Sequence, residues 1–159
     1  MGLSKQLSVF LENKPGRLAN VLLTLARDKV NITALTVMDS HEHNVLRFVS
    51  DELEKTRQVL KELSIPFAET EVVVVEMRNQ PGELAHVCEI LAAEHINIEY
   101  AYCSAGGRNG KTVGIFKVSN AAKAVKIVGE SPNNSARRRL QQRPLRSRQS
   151  YQSPGAAKR

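Results

Sequence analysis

The segment LENKPGRLA at residues 11–19 returns as MRNQPGELA at residues 77–85. A repeat at fixed spacing constrains architecture more than any single element does. The same shift of sixty-six positions pairs Val9 with Val75, Val21 with Val87, Leu25 with Leu91, Asn31 with Asn97 and Ile32 with Ile98, without a gap over about thirty residues. Beyond it an extra GGRNG turn lengthens the second copy by three residues, and VSD at 49–51 aligns with VSN at 118–120. Each copy is near the size at which a core becomes marginal alone, so the two copies are expected to lean on each other.

Within one copy the elements follow from period and punctuation. QLSVFLE is β-rich, and Leu18, Val21, Leu22, Leu25 and Ala26 keep the spacing of a helix with one buried face. NITALTVMD and NVLRFVS read as strands around the polar turn SHEH. DELEKTRQVLKEL opens on Asp51 with Glu54 three residues on, the pattern of a capping box. PFAETEVVVVEM closes the first unit and opens the second. The expected class is α+β, two ferredoxin-like βαββαβ sandwiches in tandem, at residues 5–70 and 71–129. A closing strand of the second sandwich is due near residues 133–140, but NNSARRRL lacks β alternation. That strand is expected to be missing, which would leave Val72–Val75 as an open edge. Residues 130–159, rich in Arg, Gln, Ser and Pro, read as a disordered basic tail.

Charge follows the same division. Residues 1–129 hold fifteen basic and fifteen acidic side chains, so the whole net charge of +7 sits in the tail. A pI taken over the full length therefore says nothing about the folded part, and the tail has only Tyr151 to stack on a base. Two cysteines make no disulfide framework, and no apolar run reaches the ~20 residues of a membrane span. A cytoplasmic protein with reduced thiols is expected. Cys88 and Cys103 take the places of Leu22 and Val37, apolar core positions, while His86 and His95 take those of Asn20 and Lys29, polar helix positions. No metal-ligand spacing, cofactor motif or nucleophile–base set emerges, so neither metal, cofactor nor enzyme activity is expected.

The chemistry of the repeated loop has two readings. Asn-x-Pro-Gly is an efficient strand-to-helix turn. It is also a seat for an anion, because Pro15 suits the first helical turn and Gly16 lets the backbone approach a ligand. The N–H groups of Gly16, Arg17 and Leu18 would then face a carboxylate at a helix N-terminus. The two copies, LSVFLENKPGRLANVLLTLARDKVNITALTV and VVVVEMRNQPGELAHVCEILAAEHINIEYAY, resemble consecutive ACT domains, and the likeness covers nearly all of residues 5–128. The resemblance implies a stand-alone, homodimeric sensor of a free amino acid, held where modules meet by the loop and by the Asn that opens the second strand. The implied site residues are Asn13, Pro15, Gly16, Arg17, Leu18 and Asn31, with Asn79, Gly82, Leu84 and Asn97 in the second copy. The alternative is an interaction module docking on a biosynthetic enzyme of the acetolactate-synthase kind, or on nucleic acid through its tail.

Overall fold

The computed structural model describes residues 2–38, 43–107 and 111–130. The SHEH turn at 40–43, most of GGRNG, the expected closing-strand region and the basic tail lie largely or wholly outside these residues. In chain order the elements are β1 (Gly2–Glu12), α1 (Arg17–Arg27), β2 (Ile32–Met38), β3 (His43–Ser50), α2 (Leu53–Glu62), β4 (Phe67–Arg78), α3 (Glu83–Ala93), β5 (Ile98–Gly107), β6 (Lys111–Val118) and α4 (Ala121–Glu130). The six strands form one antiparallel sheet in the order β2-β3-β1-β4-β6-β5. This is the ferredoxin-like order twice over, with β4 serving both copies and no fourth strand of the second copy among the described residues.

Alternation along the strands sorts the side chains into two layers. Leu7, Val9, Leu11, Leu46 and Phe48 pack under α1 and α2 against Val21, Leu25, Val59 and Leu60. Val73, Val75, Met77, Phe116 and Val118 pack under α3 and α4 against Val87, Leu91 and Ala124. Since Leu3 lies opposite Val73 and Val9 opposite Phe67, all four helices cover the same face. The sheet curls on its other face until β2 and β5, its outer strands, approach within 8 Å between Cα atoms. That concave face buries Ala34, Val49, Val72 and Ile115.

A polar cluster crosses the concave face. Gln6, fully buried, donates through Nε2 to the hydroxyls of Ser8 at 3.2 Å and Tyr100 at 2.9 Å. Its Oε1 accepts from the Tyr102 hydroxyl at 3.1 Å. The Arg47 guanidinium lies 4.2 Å from the centre of the Tyr100 ring, a cation–π contact. Burial pushes the Tyr102 phenol above its ordinary range. The first copy supplies Gln6, Ser8 and Arg47 and the second supplies both tyrosines.

Three sequence expectations are corrected by the pairing. Val72–Val75 is not an open edge: Gly2, Leu3 and Ser4 of β1 lie opposite Val74, Val73 and Val72. β1 begins four residues before QLSVFLE and pairs where the fourth strand of the second copy was expected, so among the described residues only Val75–Arg78 has no partner on that side of β4. The second copy is longer by two residues, not three. Phe48 opposite Leu7 corresponds to Phe116 opposite Val73, because a one-residue slip would turn each phenylalanine to the wrong face. The capping box at Asp51 does not form; Glu52 is the N-cap of α2, without a side-chain bond, and Asp51 Oδ1 instead accepts from the Asn31 N–H at 2.9 Å.

Candidate functional site

Each repeated loop is a type II turn. Arg17 N–H donates to the Lys14 carbonyl at 3.3 Å, with Gly16 at φ 82° and ψ −15° between them. In the second copy Glu83 N–H donates to Gln80 at 3.3 Å across Gly82, at φ 89° and ψ −14°. Proline is favoured at the first central position of such a turn, and glycine at the second, where φ must be positive. The turn explains the Pro-Gly pair without a ligand. Pro15 therefore precedes the helix instead of opening it, and a Cβ on Gly16 would meet nothing within 4 Å. The Arg17 N–H, expected to face an anion, is used by the turn.

The side chains around the turns differ in charge between the copies. Glu12 Oε2 lies 3.2 Å from Lys14 Nζ and 2.8 Å from an Arg17 guanidinium nitrogen. Hydrogen bonds from Lys14 and then Arg17 hold its carboxyl below the usual value of 4.5. Asn13 Oδ1 accepts from Asn44 at 3.1 Å. In the second copy the polarity is reversed, with Arg78 at the position of Glu12 and Glu83 at that of Arg17, their charged atoms 3.7 Å apart. The first loop carries an extra cation in Lys14, and the second has neutral Gln80 there.

The other asparagines stand elsewhere. Positive φ marks Lys29 at 60° and His95 at 55° as the left-handed helix stops, so Asn31 and Asn97 are not. Val30 N–H reaches Leu25 and Ile96 N–H reaches Leu91, which completes Schellman motifs. Asn97 N–H donates to the Ser119 hydroxyl at 3.1 Å, as Asn31 does to Asp51. Eleven helical residues separate Gly16 from the far end of α1, about 16 Å at 1.5 Å per residue, so Asn13 and Asn31 do not share a site within one copy. Strand directions put Asn13 and Asn97 at one end of the sheet, and Asn79 and Asn31 at the other. Each pair is three strands apart in the sheet.

Two clefts open beside the two loops at equivalent positions. One, of about 260 Å³, is lined by Phe10, Leu11, Glu12, Arg17, Asn20 and the α2–β4 connection Leu63–Pro66. The other, of about 330 Å³, is lined by the counterparts Glu76, Met77, Arg78, Glu83 and His86, with Val75, Val87, Ile90, Lys111, Val128 and Gly129. Lys111 Nζ binds Glu76 at 3.0 Å, which keeps the Glu76 carboxyl low. The counterparts of Leu63–Pro66 fall at 131–134, outside the described residues.

Sequence reasoning placed the loops and missed the cleft residues Glu12, Arg78, His86 and Lys111. The repeat itself carried the signal, since Glu12/Arg17 becomes Arg78/Glu83. Leu18 packs on the first core while Leu84 is exposed. His86 is half-buried with its Nδ1 enclosed, not solvated. Cys88 joins the second core as expected, but Cys103, on edge strand β5, is exposed.

Comparison with known proteins bears on the same residues. A family described as "ACT domain pair" matches residues 2–135. A protein of Bacteroides thetaiotaomicron is similar in structure at 35% identity and a TM-score of 0.73, over 80% of this chain and 88% of that one. The ligand-free regulatory subunit of aspartate kinase from Thermus thermophilus shares the fold at 15% identity and a TM-score of 0.59, over 81% and 96% of the two chains. The regulatory subunit from Thermus flavus does so at 15% and 0.54, over 80% and 90%. No curated protein matches the sequence.

Proposed function

We propose that this chain, which belongs to the ACT domain pair family, is a non-catalytic regulatory module that binds a free amino acid and reports its level to a partner in amino-acid metabolism. The observation that carries this reading is the pair of clefts at equivalent positions beside the two Pro-Gly turns. Each combines apolar surface with charges of both signs at its mouth, the complement of a zwitterion. Two modules, at residues 5–70 and 71–129, act together in a homodimer.

The roles then follow from chemistry. Lys14 and Arg17, with the N-terminal turn of α1, draw the carboxylate to the first loop, and Asn13 offers both a donor and an acceptor. In the second copy Arg78 and Lys111 take the carboxylate beside Asn79 and Gly82. Binding shifts a regulatory equilibrium only by its differential affinity for two arrangements of the modules. Regulatory subunits of aspartate kinase with this fold support a partner enzyme for this chain as well. The test is calorimetric titration of the twenty amino acids against the dimer, with Asn13→Ala and Asn79→Ala as controls. Absence of any ligand at millimolar concentration would overturn the reading. The flank Val75–Arg78, without a partner on the β1 side among the described residues, favours a second reading, an interaction module that docks a partner strand there; a pull-down unaffected by substitutions along this flank would exclude it.

A further inference from the structure

The repeat makes each cleft a control for the other. In the first copy Leu63, Ile65 and Phe67 pack on the core, and the connection Leu63–Pro66 lines the cleft. In the second no described residue does so, and the cleft reaches an apolar floor of Val75, Val87, Ile90 and Val128. His86 replaces Asn20 at its wall, and its Nδ1 is enclosed with no hydrogen-bond partner among the described residues. A buried polar atom without a partner is uncommon and calls for an explanation; neutral imidazole at that atom can accept or donate one hydrogen bond. The mouth alternates Arg78 and Glu83, 3.7 Å apart, with Lys111 and Glu76, 3.0 Å apart. At about 330 Å³ the cleft lies at the small end of the range for ligand pockets, roughly 300–1,000 Å³.

We infer that the α3–α4 cleft of the second copy is the specificity site, and that it selects an amino acid with an aliphatic side chain. This rests on the amino-acid-binding reading above and adds the class of ligand and the copy that reads it. The zwitterionic head sits at the Arg78–Glu83 and Lys111–Glu76 mouth, His86 Nδ1 bonds to the head, and the side chain lies on Val75, Val87 and Ile90. The first cleft is smaller, about 260 Å³, with Leu63 and Ile65 in its lining, and does not discriminate side-chain length.

A chain-length series tests this directly. Alanine, 2-aminobutyrate, norvaline and norleucine are titrated into the full chain by calorimetry. Affinity is expected to rise about fourfold per methylene, the value of burying one CH₂. Ile90→Asp should flatten the series. His86→Leu should weaken every member of the series roughly tenfold, the scale of one lost hydrogen bond to a buried group, while His86→Gln restores most of it. Circular dichroism melts establish that each variant folds, and the His86 pair decides the matter if Ile90→Asp does not. Binding of some amino acid with no slope, or affinities indifferent to His86→Leu across the series, overturns this inference and leaves the sensor reading standing. A slope that emerges only after deletion of 131–159 also overturns it, because the chain's own tail then covers the cleft. No binding of any amino acid overturns both.

Discussion

Gly16→Ala separates the two explanations of the repeated motif. Gly16 sits at φ 82°, and a Cβ built there finds open space within 4 Å. No clash contributes, so the whole cost is the left-handed backbone, about 1–2 kcal/mol for an L residue. With a urea dependence of ~2 kcal/mol/M, the midpoint of equilibrium unfolding should fall by about 0.5–1 M. Asparagine tolerates this conformation, so Gly16→Asn should recover most of the loss despite its larger side chain. Because the N–H survives in both variants, amino-acid affinity in the folded fraction should change by less than about threefold. Two results would refute this account. Equal destabilisation by Asn and Ala would mean that space, not φ, is limiting. An Asn variant of full stability without ligand binding would mean that glycine is needed for close approach of the ligand, not for the turn.

Other substitutions probe the seam, the second core and the first loop. Gln6→Leu removes three hydrogen bonds from a fully buried group and leaves the Tyr102 hydroxyl without its acceptor; a loss of about 2–4 kcal/mol is expected in thermal melts. Gly114→Ala would place a Cβ 2.5 Å from Met77 Cε and 2.7 Å from Phe116 Cε2, costing about 1–3 kcal/mol, and Met77→Val in the same chain should relieve part of it. Glu12 has a folded pKa below its unfolded value near 4.5, so its ion pairing contributes in full above that pH and is lost as pH falls through the lower folded value. An NMR titration should show the low midpoint, and Lys14→Met with Arg17→Gln should return it toward 4.5.

The repeat made the element order readable because period and turn chemistry recur in each copy. Its phase was less secure. The letters VS aligned 49–50 with 118–119, yet strand faces align Phe48 with Phe116, because side-chain alternation and not residue identity sets register. Gly2–Lys5 carries no strand pattern of its own, so nothing in the sequence showed that β1 would extend across the seam. Asp51 reads as a helix cap because Asp with a later Glu is the common signature, but the Asn31 N–H at the sheet end competes for the same carboxylate. The Pro-Gly loops were legible as a motif while their clefts were not. A cleft is made by what fails to cover it, and Leu63–Pro66 has no described counterpart after α4.

The seam between β1 and β4 has a consequence for the order of events in synthesis. β1 leaves the ribosome well before β4, so Gly2–Ser4 must wait for Val72–Val74, some seventy residues later, before their backbone groups find partners. Closing so long a loop carries an entropic cost before any contact repays it. The first copy can gather its helices against β3 early, while Gly2–Ser4 are held in reserve. A bulky fusion placed ahead of Gly2 would be carried toward Val75–Arg78, and would burden assembly of the second copy more than the first.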